Sequence, residues 1–359
     1  VSTQAAPINF SKISEETIDR YATGLSQLHQ RLHHQWREPS FWRWCYLENP
    51  AGSGTTIAVR GDLVIGKLGN LYSKLHVDGR TVRASLLEGL EVLPEERSWQ
   101  CFRGILAGCL EASEKDRIGF GYALATNSTS TLNQQLGWST LGRVPVYAAI
   151  TCCAQMAADR SVPSFLAWLG RFADPFLRVN PKKYRDRFQG FEFRRIERFD
   201  SQFDDIWHSV KEFRRLAVIK DSQYLNWRYL GCPGRNHESW ALYQGNQLQG
   251  WVVFRSRQRH REGCLLDLVA RDNDPEMILR LTQWTLQRFV ASRVGLVRAS
   301  FPASSLEGEI LRKIGFHTWT TRIAGIELVV TGTSEIRKET SFEKTMENWH
   351  LSLGDWLYY

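Results

Sequence analysis

The sequence predicts an α/β protein, with one mixed-sheet unit (α+β in its strand pairing) present twice in tandem. Three observations lead there. The chain has 359 residues, and single hydrophobic cores rarely grow beyond roughly 250–300 residues. An aromatic motif recurs near the start of each half. Around each copy, the hydrophobic rhythm alternates between helix and strand periods in the same order. With 43% hydrophobic and 12% aromatic residues, the chain can fill two cores, which excludes wholesale disorder.

The repeat is the strongest of the three. Phe41-Trp42-Arg43-Trp44-Cys45-Tyr46-Leu47-Glu48-Asn49-Pro50 is matched by Tyr224-Leu225-Asn226-Trp227-Arg228-Tyr229-Leu230-Gly231-Cys232-Pro233. Trp44 and Trp227 stand 183 residues apart, and the aromatic, Trp, Tyr, Leu and Pro positions fall in register. The stretch from Gly61 to Gly66 is echoed by Gly245 to Gly250, at an offset of 184. Leu136-Gly137-Trp138 is echoed by Ile314-Gly315-Phe316, at 178. A drift this small is what loop insertions produce in a duplicated unit.

Each copy opens with an amphipathic helix, carrying Ile18, Tyr21, Leu25, Leu28, Leu32 and Trp36 in the first and Phe203, Ile206, Val210, Phe213 and Leu216 in the second. A hairpin follows, over residues 56–59 and 63–68, then 240–243 and 248–254, with Gly-Asp and Gly-Asn turns. Next comes a buried strand (85–92; 264–269) and a long helix (99–110; 275–291), where Pro275 behind Asp274 suits a first helical turn. Another strand (118–124; 296–301) and a short helix ending at the Gly-aromatic pair complete the unit. Residues 1–153 and 200–359 are the two domains. Residues 154–199 connect them, with an apolar helix (Phe165, Leu166, Trp168, Leu169, Phe172) and a basic stretch.

The net charge is +8 and the pI about 9.2, and the excess concentrates at residues 178–198. That pattern fits a solvated face or a phosphate-bearing ligand such as coenzyme A or a nucleotide. No zinc finger, RNP-type motif or basic heptad helix points to nucleic acid. No apolar run reaches the ~18 residues of a membrane span, and the first residues lack a secretory pattern. The seven cysteines are scattered without metal spacing, so a cytoplasmic location is expected. His29 and His33 stand at i, i+4 beside His34. With no third ligand at a recognised spacing they are expected on the surface, and no metal is expected. Nor is there a Gly-x-Ser-x-Gly, HExxH or Walker motif.

The doubled aromatic motif, the run from Leu90 through Val92 and Pro94 to Arg97, and the tail from Trp349 to Trp356 carry a resemblance. Each copy resembles a GNAT-superfamily acyltransferase domain, and the whole is similar to tandem-GNAT proteins of bacterial polysaccharide and sugar-modifying gene clusters. The resemblance covers about residues 10–150 and 200–359. It implies that coenzyme A, as acyl-CoA co-substrate, binds along Val92 and at the amides of Arg97, Ser98, Trp99, Gln100, Cys101 and Phe102, with Asn127 near the pantetheine. Gln100 and Phe102 stand where the family's loop usually has small residues. In copy two the corresponding Arg271-Asp272-Asn273-Asp274 is acidic and would repel a diphosphate.

Acyl transfer to an amine needs a base for the ammonium and hydrogen-bond donors for the carbonyl. Glu88 and Glu91 on the central strand are candidate bases; their odd separation puts them on opposite faces unless a bulge intervenes. Either reads equally well as a carboxylate paired with Arg83 or Arg97. Tyr122 and Tyr147 are candidate acids, or core aromatics. From copy two, Asp267, Glu307 and Glu309 are candidates for facing the acceptor. Arg228 suits a phosphate or an internal ion pair. The expected function is acyl-CoA-dependent N-acyl transfer to a small-molecule amine such as an amino sugar or nucleotide-linked amino sugar, bound between the copies. The alternatives are a non-catalytic GNAT-fold binding module and an aminoacyl or fatty-acyl transferase with a carrier-bound donor. The sequence leaves the oligomeric state open.

Overall fold

The computed structural model describes residues 6–125, 127–153, 155–156, 188–257, 262–318, 327–332 and 346–356. In chain order the first half contains β1 (Ile8–Lys12), α1 (Ile18–His33), α2 (Pro39–Tyr46), β2 (Thr56–Arg60), β3 (Leu63–Val77), β4 (Arg80–Val92), α3 (Trp99–Lys115), β5 (Phe120–Ala125), α4 (Asn127–Gln135) and β6 (Ser139–Arg143). Then come β7 (Tyr147–Ile150), β8 (Phe191–Arg195), α5 (Ser201–Val210), β9 (Leu216–Val218), α6 (Ser222–Leu225) and a π-helical turn over Asn226–Leu230. The chain continues with β10 (Glu238–Gln244), β11 (Gln247–Arg257), β12 (Glu262–Ala270), α7 (Pro275–Ala291), β13 (Leu296–Ala299), α8 (Leu306–Lys313), β14 (His317–Thr318), β15 (Glu327–Gly332) and β16 (Trp349–His350).

Two sheets result, with equivalent strand orders. The first runs β1-β2-β3-β4-β5-β15-β6 and the second β8-β10-β11-β12-β13-β7-β14. Along both, neighbours are antiparallel except at the centre, where β4/β5 and β12/β13 are parallel. The expected mixed α/β fold in two tandem GNAT-like copies is therefore present. Packing of β3 against both flanking layers is direct. Gly24 of α1 lies against Val64, while Asn70 donates to the Cys109 carbonyl of α3 at 2.8 Å, so α1 and α3 cover opposite faces.

The copies are interleaved more deeply than the repeat indicates. β7 follows β6 in sequence yet pairs with β13 in the second sheet. β15 follows β14 yet inserts between β5 and β6 in the first. Each sheet thus borrows its penultimate strand from the other half. β8, the edge strand of the second sheet, lies inside the segment expected to be connector. β9 and β16 extend the first sheet alongside the far end of β3.

The recurring motif sits where the copies meet. The Trp44 and Trp227 rings stack at 5.1 Å and 22°. The Trp44 indole donates to the Trp227 carbonyl at 2.8 Å, and the Trp227 indole to the Trp44 carbonyl at 3.0 Å. A continuous core crosses this contact, from Leu25 and Trp42 through Tyr229 to Trp251 and Trp349.

Two expectations about helices need correction, and a third is not tested. α5 ends at Val210, so Leu216 belongs to β9 and Phe213, 62% exposed, is outside the core. Pairing of β9 with the overlong β3 takes the chain away from the helical path. α1 ends at His33 with a left-handed His34 at its C-cap, which leaves Trp36 outside it. The apolar connector helix at Phe165–Phe172 lies outside the described residues.

Phe substitution at Trp44 or Trp227 keeps a ring but strands a buried carbonyl, which costs about 1–3 kcal/mol each. In urea unfolding of W44F, W227F and the double variant, the two losses should be non-additive by more than about 0.5 kcal/mol. Additive losses would mean the two indoles do not form one unit.

Candidate active site

β4 and β5 pair from Ala84–Leu87 against Phe120–Ala123, and the parallel register stops there. Both strands continue, to Val92 and Ala125. Past Leu87 they splay, so the facing edge of β4 offers backbone N–H and C=O groups to an extended polar ligand. The splay coincides with a bulge. Three residues of β3 (Lys67 to Gly69) face four of β4 (Glu91 to Glu88), and Gly89 adopts φ 66°, which only glycine takes without strain. Gly69 is required opposite, since a Cβ there would lie 2.8 Å from the Glu88 carbonyl oxygen.

The bulge puts Glu88 and Glu91 on one face, toward α1 and α2. Their environments differ. Glu91 is buried in a cationic cage: its Oε1 lies 3.3 Å from His29 Nδ1, 3.2 Å from His33 Nε2 and 3.5 Å from Lys67 Nζ. Burial opposes its ionisation, but Lys67 and the two imidazoles outweigh it and hold the carboxyl well below the usual range. So placed, it is a poor base and a good anchor. His29, 3% exposed, is not the surface residue its spacing suggested; burial lowers its pKa. The ligand atoms of His29, His33 and Glu91 lie within 4.8 Å of one another, but the buried Lys67 ammonium already supplies positive charge there.

Glu88 is half-buried, and its charge acts on the Cys45 thiol, the Tyr122 hydroxyl and the Arg228 guanidinium. It therefore faces the junction of the two halves. There a small pocket, partly open to solvent, is lined by Tyr72, Ser73, Tyr122, Tyr224, Arg228 and Asp355 among others. Tyr122 is buried, 3.1 Å from the Ser73 hydroxyl, and burial pushes its own hydroxyl up. It stays protonated and suits hydrogen-bond donation; a phenol this hard to ionise gives up its proton reluctantly. Tyr147 is elsewhere. It belongs to the second sheet, where Arg312 donates to its hydroxyl at 3.2 Å.

At the end of β4 the Val92 carbonyl accepts from Arg97 Nε at 3.2 Å. Ser98 caps α3 by accepting the Cys101 amide at 3.1 Å, and the Phe102 amide bonds the Ser98 carbonyl. The first-turn amides of Trp99 and Gln100 have no intrahelical acceptor. Both side chains face solvent, Trp99 at 50% exposure, while Cys101 and Phe102 turn inward. Gln100 thus leaves this helix end open to solvent. Asn127 opens α4 behind the splayed end of β5.

In copy two the parallel pairing stops at Leu265 and Ala299, where β13 itself ends, while β12 continues to Ala270. The Asp274 carboxylate accepts the amides of Glu276 and Met277, and Pro275 contributes no N–H. Asp267 is buried, accepting from Lys220 Nζ at 2.7 Å and from the Tyr229 hydroxyl at 3.0 Å. Glu307 is held by Arg214 and His350 at 3.1 and 3.2 Å, and Glu309 lies exposed near Lys313. Residues Leu353–Asp355 pack against β12: a Cβ on Gly354 would meet the Leu266 carbonyl at 3.0 Å. Arg228 donates to the carbonyls of Gly354 and Trp356 at 2.8 and 2.7 Å. Its partners are main-chain carbonyls of the tail, not the carboxylate expected for an ion pair.

Sequence reasoning missed Lys67, Lys220, Ser73 and Asp355. The two lysines carried a signal, each standing alone in an apolar strand-like run; Ser73 and Asp355 had none.

Comparison with solved structures places this architecture. The chain aligns with Saccharomyces cerevisiae N-myristoyltransferase bound to myristoyl-CoA over 92% of its length and 81% of that chain, with TM-score 0.65 and 11% identity. A GCN5-related N-acetyltransferase from Anabaena variabilis aligns over 90% and 72%, with TM-score 0.58 and 12% identity. The fold is that of the GNAT N-acyltransferases. A glucosamine N-acetyltransferase region of a fungal multi-domain β-N-acetylglucosaminidase aligns over 92% of this chain and 38% of that one, with TM-score 0.55 and 9% identity. No protein-family model and no curated protein sequence matches the chain. Among the described residues, no helix is long and apolar enough to cross a membrane.

A folded-state pKa held below the unfolded one contributes stability above the unfolded value and loses it as pH falls. Glu91 has this sign, as does Glu307. E91Q should lose about 3–5 kcal/mol at neutral pH, because it leaves Lys67 buried without its carboxylate. In guanidinium unfolding the gap to the unsubstituted protein should narrow below about pH 4.3. A constant gap would remove Glu91 from the acid-labile set.

Proposed function

We propose that the chain transfers an acyl group from acyl-CoA to an amine, in copy one. The observation that carries this reading is the end of the β4–β5 pairing after Leu87, beside Glu88 and next to the Leu86 and Tyr122 wall of the pocket between the halves. The residues present fit the donor. The β4 edge would hold the pantetheine and polarise the carbonyl, and the Trp99 and Gln100 amides, with Arg97, would hold the diphosphate. Bound there, acyl-CoA supplies the thioester to be cleaved.

Glu88 takes a proton from the ammonium, directly or through one water, and the freed amine forms the C–N bond as the C–S bond breaks. Tyr122 donates a hydrogen bond toward the departing thiolate, which is protonated from solvent. Glu91 keeps the face rigid through α1. Tyr147 and Asp267, bound within the second sheet and its tail network, have no part in the proposed chemistry.

We propose a small-molecule amine in the cavity as acceptor, with amino sugars, including nucleotide-linked ones, as the leading class. The seven cysteines, scattered without metal spacing, fit a reducing, cytoplasmic compartment.

E88Q should lower turnover about 10²–10⁴-fold in a thiol-release assay, with acyl-CoA affinity unchanged. R97E should weaken acyl-CoA binding by calorimetry. An E88Q protein with near-full turnover would remove Glu88 from the reaction, and unchanged affinity in R97E would move the diphosphate elsewhere.

A further inference from the structure

Two side chains of opposite charge line the pocket between the halves, and each is incompletely matched. Arg228 is 2% exposed. Its Nε and Nη2 donate to the main-chain carbonyls of Gly354 and Trp356, and its Nη1 is buried with no hydrogen-bond partner among the described residues. Asp355, from the C-terminal segment, belongs to the same wall. Its Oδ2 accepts the Ser352 amide at 2.7 Å and the Ser352 hydroxyl at 3.0 Å. Its Oδ1 accepts no hydrogen bond and lies 3.4 Å from the Lys220 ammonium. That ammonium already donates to Asp267 at 2.7 Å and to the Ser352 hydroxyl at 2.9 Å. Two carboxylates thus share one lysine, while the guanidinium beside them is held by neutral carbonyls.

The pocket lies beside the open edge of β4. Leu86 and Tyr122, which face each other across β4 and β5, both belong to its wall. The register of β4 with β3 is unbroken from Leu86 to Glu88. Glu88 therefore stands on the same face of the strand as Leu86, about 7 Å further along it. A molecule held against Arg228 and Asp355 reaches the place where the unpaired stretch of β4 begins. Arg228 is the only cation among the described residues of the wall, and Asp355 the only carboxylate.

We propose that the acceptor is an amine that also carries a carboxylate, with the carboxylate bound by Arg228 and the ammonium oriented by Asp355. This deepens the acyl-transfer reading and rests on it. A guanidinium with a free N–H₂ matches a planar carboxylate, and an unfilled carboxylate oxygen matches an ammonium. One charge of each sign fits a zwitterion. A phosphate dianion would set its second charge against Asp355 with no second cation in the wall to meet it. A neutral amino sugar would bury the Arg228 donor unmatched, which is costly. Two kinds of molecule share the required chemistry: a free amino acid, and an amino sugar oxidised to a uronic acid.

The test is calorimetry at neutral pH on the full chain with two pairs of probes, alanine with alanine amide and glucosaminuronic acid with glucosamine. At least one acid should bind saturably and about tenfold more tightly than its uncharged counterpart, the worth of a hydrogen bond to a charged group. Which acid does so tells the amino acid from the amino sugar. In R228K, which keeps the charge and loses the fork, the preference for the acid should disappear. D355N still accepts from Ser352 and should weaken both members of the bound pair, since both carry the ammonium. Should R228K not fold, the probe pairs and D355N decide. The site is overturned if neither acid binds, if neither outbinds its counterpart, or if D355N leaves both affinities unchanged. Succinate bound as tightly as either acid also overturns it, and would assign Arg228 to an acidic acyl group of the donor. Acyl-CoA affinity, measured separately, reports on the acyl-transfer reading: if it is absent while an acid binds, that reading fails and the site stands.

Discussion

Two stacked indoles set the architecture. A Trp N–H taken out of water must find an acceptor, and here each finds the main-chain carbonyl of its counterpart in the other half. Because each residue contacts the other in the same way, the junction has the self-complementary form of a two-fold dimer interface, realised within one chain. The strand exchange follows the same pseudo-symmetry. β15 lies between β5 and β6 as β7 lies between β13 and β14. Neither sheet is continuous without a strand from the other half, so the halves are expected to fold together, and the cavity between them is part of the core's design.

Symmetry at the backbone has been broken in the side chains. In both copies the central parallel pairing stops short of the end of the first strand and a bulge borders it, but the first also has a half-buried carboxylate and a helix end capped by a neutral serine. In the second, Asp274 closes the helix end, Asp267 is neutralised by Lys220, and the tail packs on β12. The aligned motif positions show how this arises. Where the first copy has Cys45, the second has Arg228, whose guanidinium binds the carbonyls of Gly354 and Trp356. One substitution in a repeated motif thus supplies the clamp that folds the C-terminal segment into the junction, where Asp355 becomes part of the cavity wall.

The duplication, the succession of helices and strands along each unit and the equivalence of Trp44 and Trp227 were legible in the sequence, because aromatic spacing and hydrophobic period are local signals. The exchange of β7 and β15 was not. A strand's pattern tells which face is buried and says nothing of which sheet it joins. The end of α5 was misread because pairing with β3 overrode a helical rhythm that continued to Leu216. Within the site, the β4 carboxylates were legible as a pair. What distinguishes them depends on Lys67, His29 and His33, brought close only by folding.

That distinction is the physical centre of the proposed mechanism. Glu88 and Glu91 share a strand and, through the Gly89 bulge, a face, so composition gives no reason for them to act differently. Environment does. Glu91 meets two imidazoles and an ammonium inside the core, and its proton affinity falls so far that it serves only to hold α1 against β4. Glu88 lies one bulge away, half-buried, where its charge reaches Tyr122 and Arg228 of the pocket wall. Without Gly89 the alternation of a regular strand would turn one of them to the α3 face. The same backbone irregularity therefore opens the edge of β4, creates the anchor and aims the second carboxylate at the opening. These three consequences belong to a single φ that a side chain at residue 89 would strain.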